Sequence, residues 1–107
     1  MERNVFLAWL LDFYGAMLTD RQRFLLSQRL DEDFTVQEIA NLEGISRQGV
    51  YDAIRKAEAQ LEEYEEKLGL LKRYFALKDA VDAAIENIET GNGAKALEIL
   101  KSAGEDE

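Results

Sequence analysis

The chain has 107 residues, enough for one domain with a modest core, and contains no cysteine, histidine or proline. Those absences exclude a disulfide framework and thiolate metal or redox sites, and they remove the commonest general base and zinc ligand. Its 13 Lys and Arg stand against 22 Asp and Glu, and the net charge of −9 repels nucleic acid at long range. Catalysis would have to rest on carboxylates, Lys or Tyr, and none forms a recognisable constellation. With no P-loop, dinucleotide fingerprint, metal-ligand cluster or internal repeat, the chain reads as a non-enzyme without cofactor or metal. The longest apolar run, Val5 to Leu11, is far short of the roughly 20 residues a membrane span needs. No signal-peptide pattern precedes it, so the expected location is cytoplasmic.

Strong helix formers throughout, without proline, predict an all-α fold. The first helix is expected over Val5–Leu18, with one apolar stripe through Phe6, Trp9, Phe13 and Met17 and another through Leu7, Leu11, Tyr14 and Leu18. A helix apolar on most sides is covered on more than one side, by its own chain or by a second copy. Trp9 and Phe13 are the natural anchors for a homodimer, since aromatics dominate interface hot spots.

Thr19 opens a second helix with Gln22 completing a capping box, and the acidic turn Asp31–Asp33 closes it. Phe24, Leu26 and Leu30 are its expected apolar members, with Arg21, Arg23 and Arg29 on a solvated face. A third start follows at once. Thr35 is an N-cap, Glu38 completes its box, and Phe34 can staple to Ile39. Gly44 supplies the left-handed residue that ends this short helix. Ser46 then caps a fourth, and two helices joined by a tight glycine turn make a helix-turn-helix.

Ala40 is small where the two helices cross, and Ile39, Ile45, Val50 and Ile54 form the wedge between them. Outside on the second helix are Ser46, Arg47, Gln48, Tyr51, Asp52, Arg55 and Lys56. Within Ser46–Lys56, Arg47, Arg55 and Lys56 face only Asp52, a local excess of positive charge in an acidic chain. Arg47 and Gln48 have the chemistry for guanine and adenine edges, and helix N–H groups can take a phosphate. Ser46, Arg47, Gln48, Tyr51, Arg55 and Lys56 are therefore the candidate nucleic-acid-binding residues. Gly49 sits in this helix at a cost of up to about 1 kcal/mol relative to alanine.

The same helix runs on to Leu71 with an apolar seam at Val50, Ile54, Ala57, Leu61, Tyr64, Leu68 and Leu71, spaced 4, 3, 4, 3, 4, 3. Beyond Lys56 its other faces turn acidic, so this part packs and does not follow a DNA backbone. The seam packs inside the domain or is shared across a dimer. Gly69 breaks or bends the helix. A further helix is expected over Leu70–Glu89, a turn at Thr90–Gly93, a short helix over Ala94–Ser102, and a frayed end from Gly104. The whole reads as one helical domain, 1–107, with its helix-turn-helix core at 19–56 and the long helix and extension over 57–103.

The stretches LLDFYGAMLTDRQRFLL and EIANLEGISRQGVYDAIRKAEAQLEEYEEKLGL resemble the YlxM family, over about residues 5–75. These are small bacterial helix-turn-helix proteins similar to the promoter-binding C-terminal region of sigma factors. The resemblance implies a cytosolic accessory factor whose gene commonly neighbours that of the signal recognition particle GTPase. The partners it implies are duplex DNA, or the RNA or GTPase of that particle. It carries the family's recognition helix onto Ser46, Arg47, Gln48, Val50, Tyr51, Ile54 and Arg55. Position 49, usually alanine in the family, is the departure. No small-molecule substrate and no membrane insertion are expected.

Overall fold

The computed structural model describes residues 1–105, which form six α-helices and one short 3-10 turn with no strand among them. The helices are α1 (Arg3–Tyr14), α2 (Asp20–Leu30), α3 (Val36–Glu43), α4 (Arg47–Leu68), α5 (Leu70–Glu89) and α6 (Gly93–Glu105). None is long and apolar enough to cross a membrane. The chain divides into two compact units, Met1–Gly69 and Leu70–Glu107.

In the first unit α4 is the central element, packing on α1, α2 and α3. The seam explains why. Val50, Ala57 and Leu61 are fully buried and Ile54 nearly so. They meet Leu7, Leu10, Leu11 and Tyr14 of α1, Leu25 and Leu26 of α2, and Ile39 and Ala40 of α3 in one core. From Val50 to Leu61 the seam is thus consumed within the chain, which corrects the expectation that this stretch could serve a homodimer. Its heptad phase cannot distinguish a helix of the same chain from one of another. Past Leu61 the seam emerges on the rest of α4, where Tyr64 is half-buried and Leu68 is 50% exposed. α4 ends at Leu68 on left-handed Gly69, so Leu71, expected as the seam's last member, is a buried residue of α5 instead.

α1 begins two residues earlier than Val5, because the Glu2 carboxylate caps it by accepting from the N–H groups of Asn4 and Val5. It ends at Tyr14 in a 3-10 turn, Gly15–Met17, rather than running to Leu18. Leu7, Leu11, Tyr14 and Leu18 are buried as one stripe, joined by Leu10, while Trp9 and Phe13 are half-buried with their rings stacked at 6.3 Å. The Tyr14 ring is buried, and its hydroxyl donates to Glu65 of α4 at 2.6 Å. At the other end Arg3 reaches Glu62 at 2.8 Å, an exposed pair that contributes little stability, and the half-buried Glu58 at 3.8 Å. On α2 Leu26 is buried and Leu30 half-buried as expected, while Leu25 takes the inward place expected of Phe24, which points out at 44% exposure.

The second unit is a hairpin of α5 and α6. The Thr90–Asn92 turn, with Gly91 at φ +82°, folds α6 back along α5, and the helices approach where Ala84 and Ala96 are buried. The last helix extends through Gly104 and Glu105, where fraying was expected; the rest of that call, Asp106 and Glu107, lies outside the described residues.

Candidate nucleic-acid interface

The helix-turn-helix is built by three local devices. Thr35 Oγ1 accepts from the Glu38 N–H while the Glu38 carboxylate accepts from the Thr35 N–H, a full capping box at the start of α3. Gly44 at φ +67° ends α3, its N–H bonded to the Ala40 carbonyl and the Ile45 N–H returning to the same oxygen. Ser46 Oγ then accepts from the Gly49 N–H at 3.0 Å and starts α4. Ile39 and Val50, buried on either side of the turn, hold the helices together.

This packing turns one side of α4 outward. All six candidate residues, Ser46, Arg47, Gln48, Tyr51, Arg55 and Lys56, are exposed. Ser46 is the N-cap, and the other five stand with Asp52 in two adjacent i, i+4 rows, Arg47–Tyr51–Arg55 and Gln48–Asp52–Lys56. In the first row the Arg55 guanidinium lies over the Tyr51 ring at 4.9 Å, a cation–π contact that holds the arginine head against an aromatic plane. In the second, Gln48 Nε2 donates to Asp52 Oδ1 at 2.7 Å. The Gln48 amide must leave that bond before it can donate to a base.

Arg47, Arg55 and Lys56 take part in no ion pair among the described residues. Lys67, lower on the same helix, is instead bonded to Glu63 at 2.9 Å, and that contact lowers the Glu63 pKa and raises the lysine's. The first turn of α4, like those of α1, α5 and α6, holds no acidic residue. Arg47 occupies the first helical position, where the helix dipole disfavours a cation. α3 keeps Glu38 in its first turn, as helix stability prefers.

The structure adds residues that sequence reasoning used only as caps. An open cleft between the starts of α3 and α4 is lined by Thr35, Val36, Gln37, Ser46, Arg47, Gln48 and Tyr51. First-turn N–H groups have no acceptor within their own helix. Gln37 is held by donation to Asn41 at 2.9 Å. Of the α2 arginines, Arg21 and Arg23 are exposed, whereas Arg29 is half-buried and reaches the Phe34 carbonyl of the α2–α3 turn at 3.4 Å. No cluster of acidic residues able to hold a metal occurs among the described residues.

Fold and surface together define a helix-turn-helix protein whose second helix doubles as the core of its unit. Residues 1–99 match the family model described as "UPF0122: Putative helix-turn-helix protein, YlxM / p13 like". The chain belongs to that family. It is 46% identical over 85 residues to a UPF0122 protein of Thermoanaerobacter sp. (strain X514), covering 79% of this chain and 73% of the relative. It is 41% identical over 96 residues to one from Geobacillus kaustophilus (strain HTA426), covering 90% and 87%. With one from Symbiobacterium thermophilum it shares 38% identity over 99 residues, covering 90% and 92%.

Proposed function

We propose that this protein is a non-enzymatic regulatory or accessory factor that docks nucleic acid on the exposed start of α4. The observation that carries the reading is the set Arg47, Arg55 and Lys56, exposed on the outer side of the motif's second helix and outside any ion pair among the described residues. Their charge excess is local, and the acidic remainder of α4 confines contact to its first three turns. The family resemblance supplies the setting, the signal recognition particle pathway, with that particle's RNA or GTPase as ligand in the cytoplasm.

The alternative is a duplex-DNA regulator acting as a dimer. The helix-turn-helix geometry favours it, because N-terminal residues of such a second helix reach base edges. Three phosphate contacts give a salt slope of only about −2.7 per protomer, so useful duplex affinity requires two copies.

The test is a parallel titration of random duplex DNA, signal recognition particle RNA and the particle's GTPase at two salt concentrations. Salt-sensitive binding to duplex alone supports the regulator; binding to the RNA or GTPase with duplex ignored supports the accessory role. Arg47→Ala with Arg55→Ala should reduce the salt slope by about two contacts. Unchanged nucleic-acid binding by that variant would remove the site.

A further inference from the structure

The hairpin of α5 and α6 carries an apolar face that its own packing leaves open. On α5, Leu77, Val81, Ile85 and Ile88 are 47%, 43%, 49% and 58% exposed, and Tyr74 is 40% exposed. At 100° per residue these five fall within an arc of about 80°. Leu97 and Leu100 of α6 are 55% and 43% exposed. On each helix the exposed stripe lies roughly a quarter-turn from the buried alanines, on the same side of the hairpin, so the two stripes form one continuous face. Its large side chains expose on the order of 600 Å², the upper end of the largest patch on a typical monomer. That is most of the roughly 800 Å² each partner contributes to a standard interface.

The spacing of this face identifies its occupant. Residues 74, 77, 81, 85 and 88 are separated by 3, 4, 4 and 3 positions, a pattern that reads the same from either end with Val81 at its centre. A two-fold axis beside Val81, running two α5 helices antiparallel, places Val81 against Val81, Leu77 opposite Ile85 and Tyr74 opposite Ile88. That self-matching is what an isologous interface requires. Charge selects the same orientation. From Leu70 to Lys78 the helix carries Lys72, Arg73 and Lys78 without an acid, and from Asp79 to Glu89 it carries Asp79, Asp82, Glu86 and Glu89 without a base. An antiparallel pair sets each basic half against an acidic one. A parallel pair stacks like on like, which costs stability.

We infer that this face binds a second copy of the chain, with the two α5 helices antiparallel about Val81 and the α6 helices completing a four-helix bundle. This dimer is independent of the ligand read by α4, and it locates the self-association surface on α5 and α6 rather than on Trp9 and Phe13.

Sedimentation equilibrium of the full chain tests it. A monomer–dimer equilibrium is expected, weakened at least tenfold by Val81→Lys, which brings two like charges together at the axis while leaving the helical circular dichroism unchanged. The chain has no cysteine, so single cysteines report geometry. Val81→Cys should crosslink to itself on mild oxidation. Ile88→Cys should not, because its symmetry mate lies about 21 Å away at 1.5 Å per residue. A mass equal to one chain at every concentration would overturn the inference. So would equal crosslinking at positions 81 and 88, or a dimer lost with Trp9→Ala and Phe13→Ala but kept with Val81→Lys.

Discussion

Leu61 and Leu68 occupy equivalent places in one heptad seam, one repeat apart, yet the structure assigns them opposite consequences. Leu61 is fully buried where α4 meets the other helices of its unit, and Leu68 is 50% exposed in the last turn. Leu61→Ala loses the transfer free energy of the removed methyl groups and leaves a cavity, together about 3 kcal/mol. Leu68→Ala removes a side chain already half in water and opens no cavity, so its cost is under about 1 kcal/mol. At 0.05–0.15 kcal/mol per residue, a unit of this size has on the order of 3–10 kcal/mol of stability. The first substitution therefore removes a third of it or more. Trp9 is the single tryptophan and lies in α1, so its fluorescence during urea unfolding reports on the unit that holds Leu61. With a slope of about 1 kcal/mol per molar urea, Leu61→Ala should lower the midpoint by about 3 M and Leu68→Ala by less than about 1 M. Equal shifts for the two leucines would refute the assignment of the core.

Two glycines separate backbone strain from crowding. Gly44 sits at φ +67° with open space where a Cβ would go, so Gly44→Ala is expected to cost about 1 kcal/mol from the left-handed backbone alone. At Gly49 a Cβ would lie 3.2 Å from Ser46 Oγ, so the helix-propensity gain and the crowded cap offset each other. Gly49→Ala should leave the stability read by urea unfolding within about 0.5 kcal/mol of the parent, the smaller of the two effects. Glu58 gives a pH prediction. Burial raises its pKa above the ordinary 4.5, against the opposing pull of Arg3. A raised native pKa means the folded state binds the proton more tightly than the unfolded chain, so its stabilising contribution is present at low pH and lost as pH rises through the native pKa. Relative to Glu58→Gln, the parent should therefore gain stability as pH falls from neutral toward 4.5, read as the difference in urea midpoints. A parent that loses ground to the variant on acidification would contradict this.

Local signals were legible because each is written in a few adjacent residues. Thr19, Thr35 and Ser46 cap helices as expected, and Gly44 and Gly69 both end helices in the left-handed conformation. A capping side chain reaches only two or three residues along its own backbone, so sequence suffices to place it. The helix-turn-helix and its exposed residues follow from those signals plus the wedge around Ile39 and Val50. The cleft was not legible, since Thr35, Val36 and Gln37 come to lie beside Arg47 and Tyr51 only through the packing of two helices. Nor was the Gln48 amide's commitment to Asp52, because a helix row permits that bond without requiring it.

The sequence by itself determined that the chain is all-α, where the caps at Thr19, Thr35, Gly44 and Ser46 lie, and which residues stand outside on the second helix of the motif. Only the tertiary structure decided which apolar stripes are used. Hydrophobic spacing records that a face must be covered but carries no information on what covers it. Leu10 and Leu25 proved to be core while Phe24 faces out, and the seam from Val50 to Leu61 closes within the chain. The stripe from Leu77 to Ile88, written in the same alphabet, is left open. Within its unit α4 has three helices packed on it and α5 has α6, a property of each packed unit and not of any segment within it.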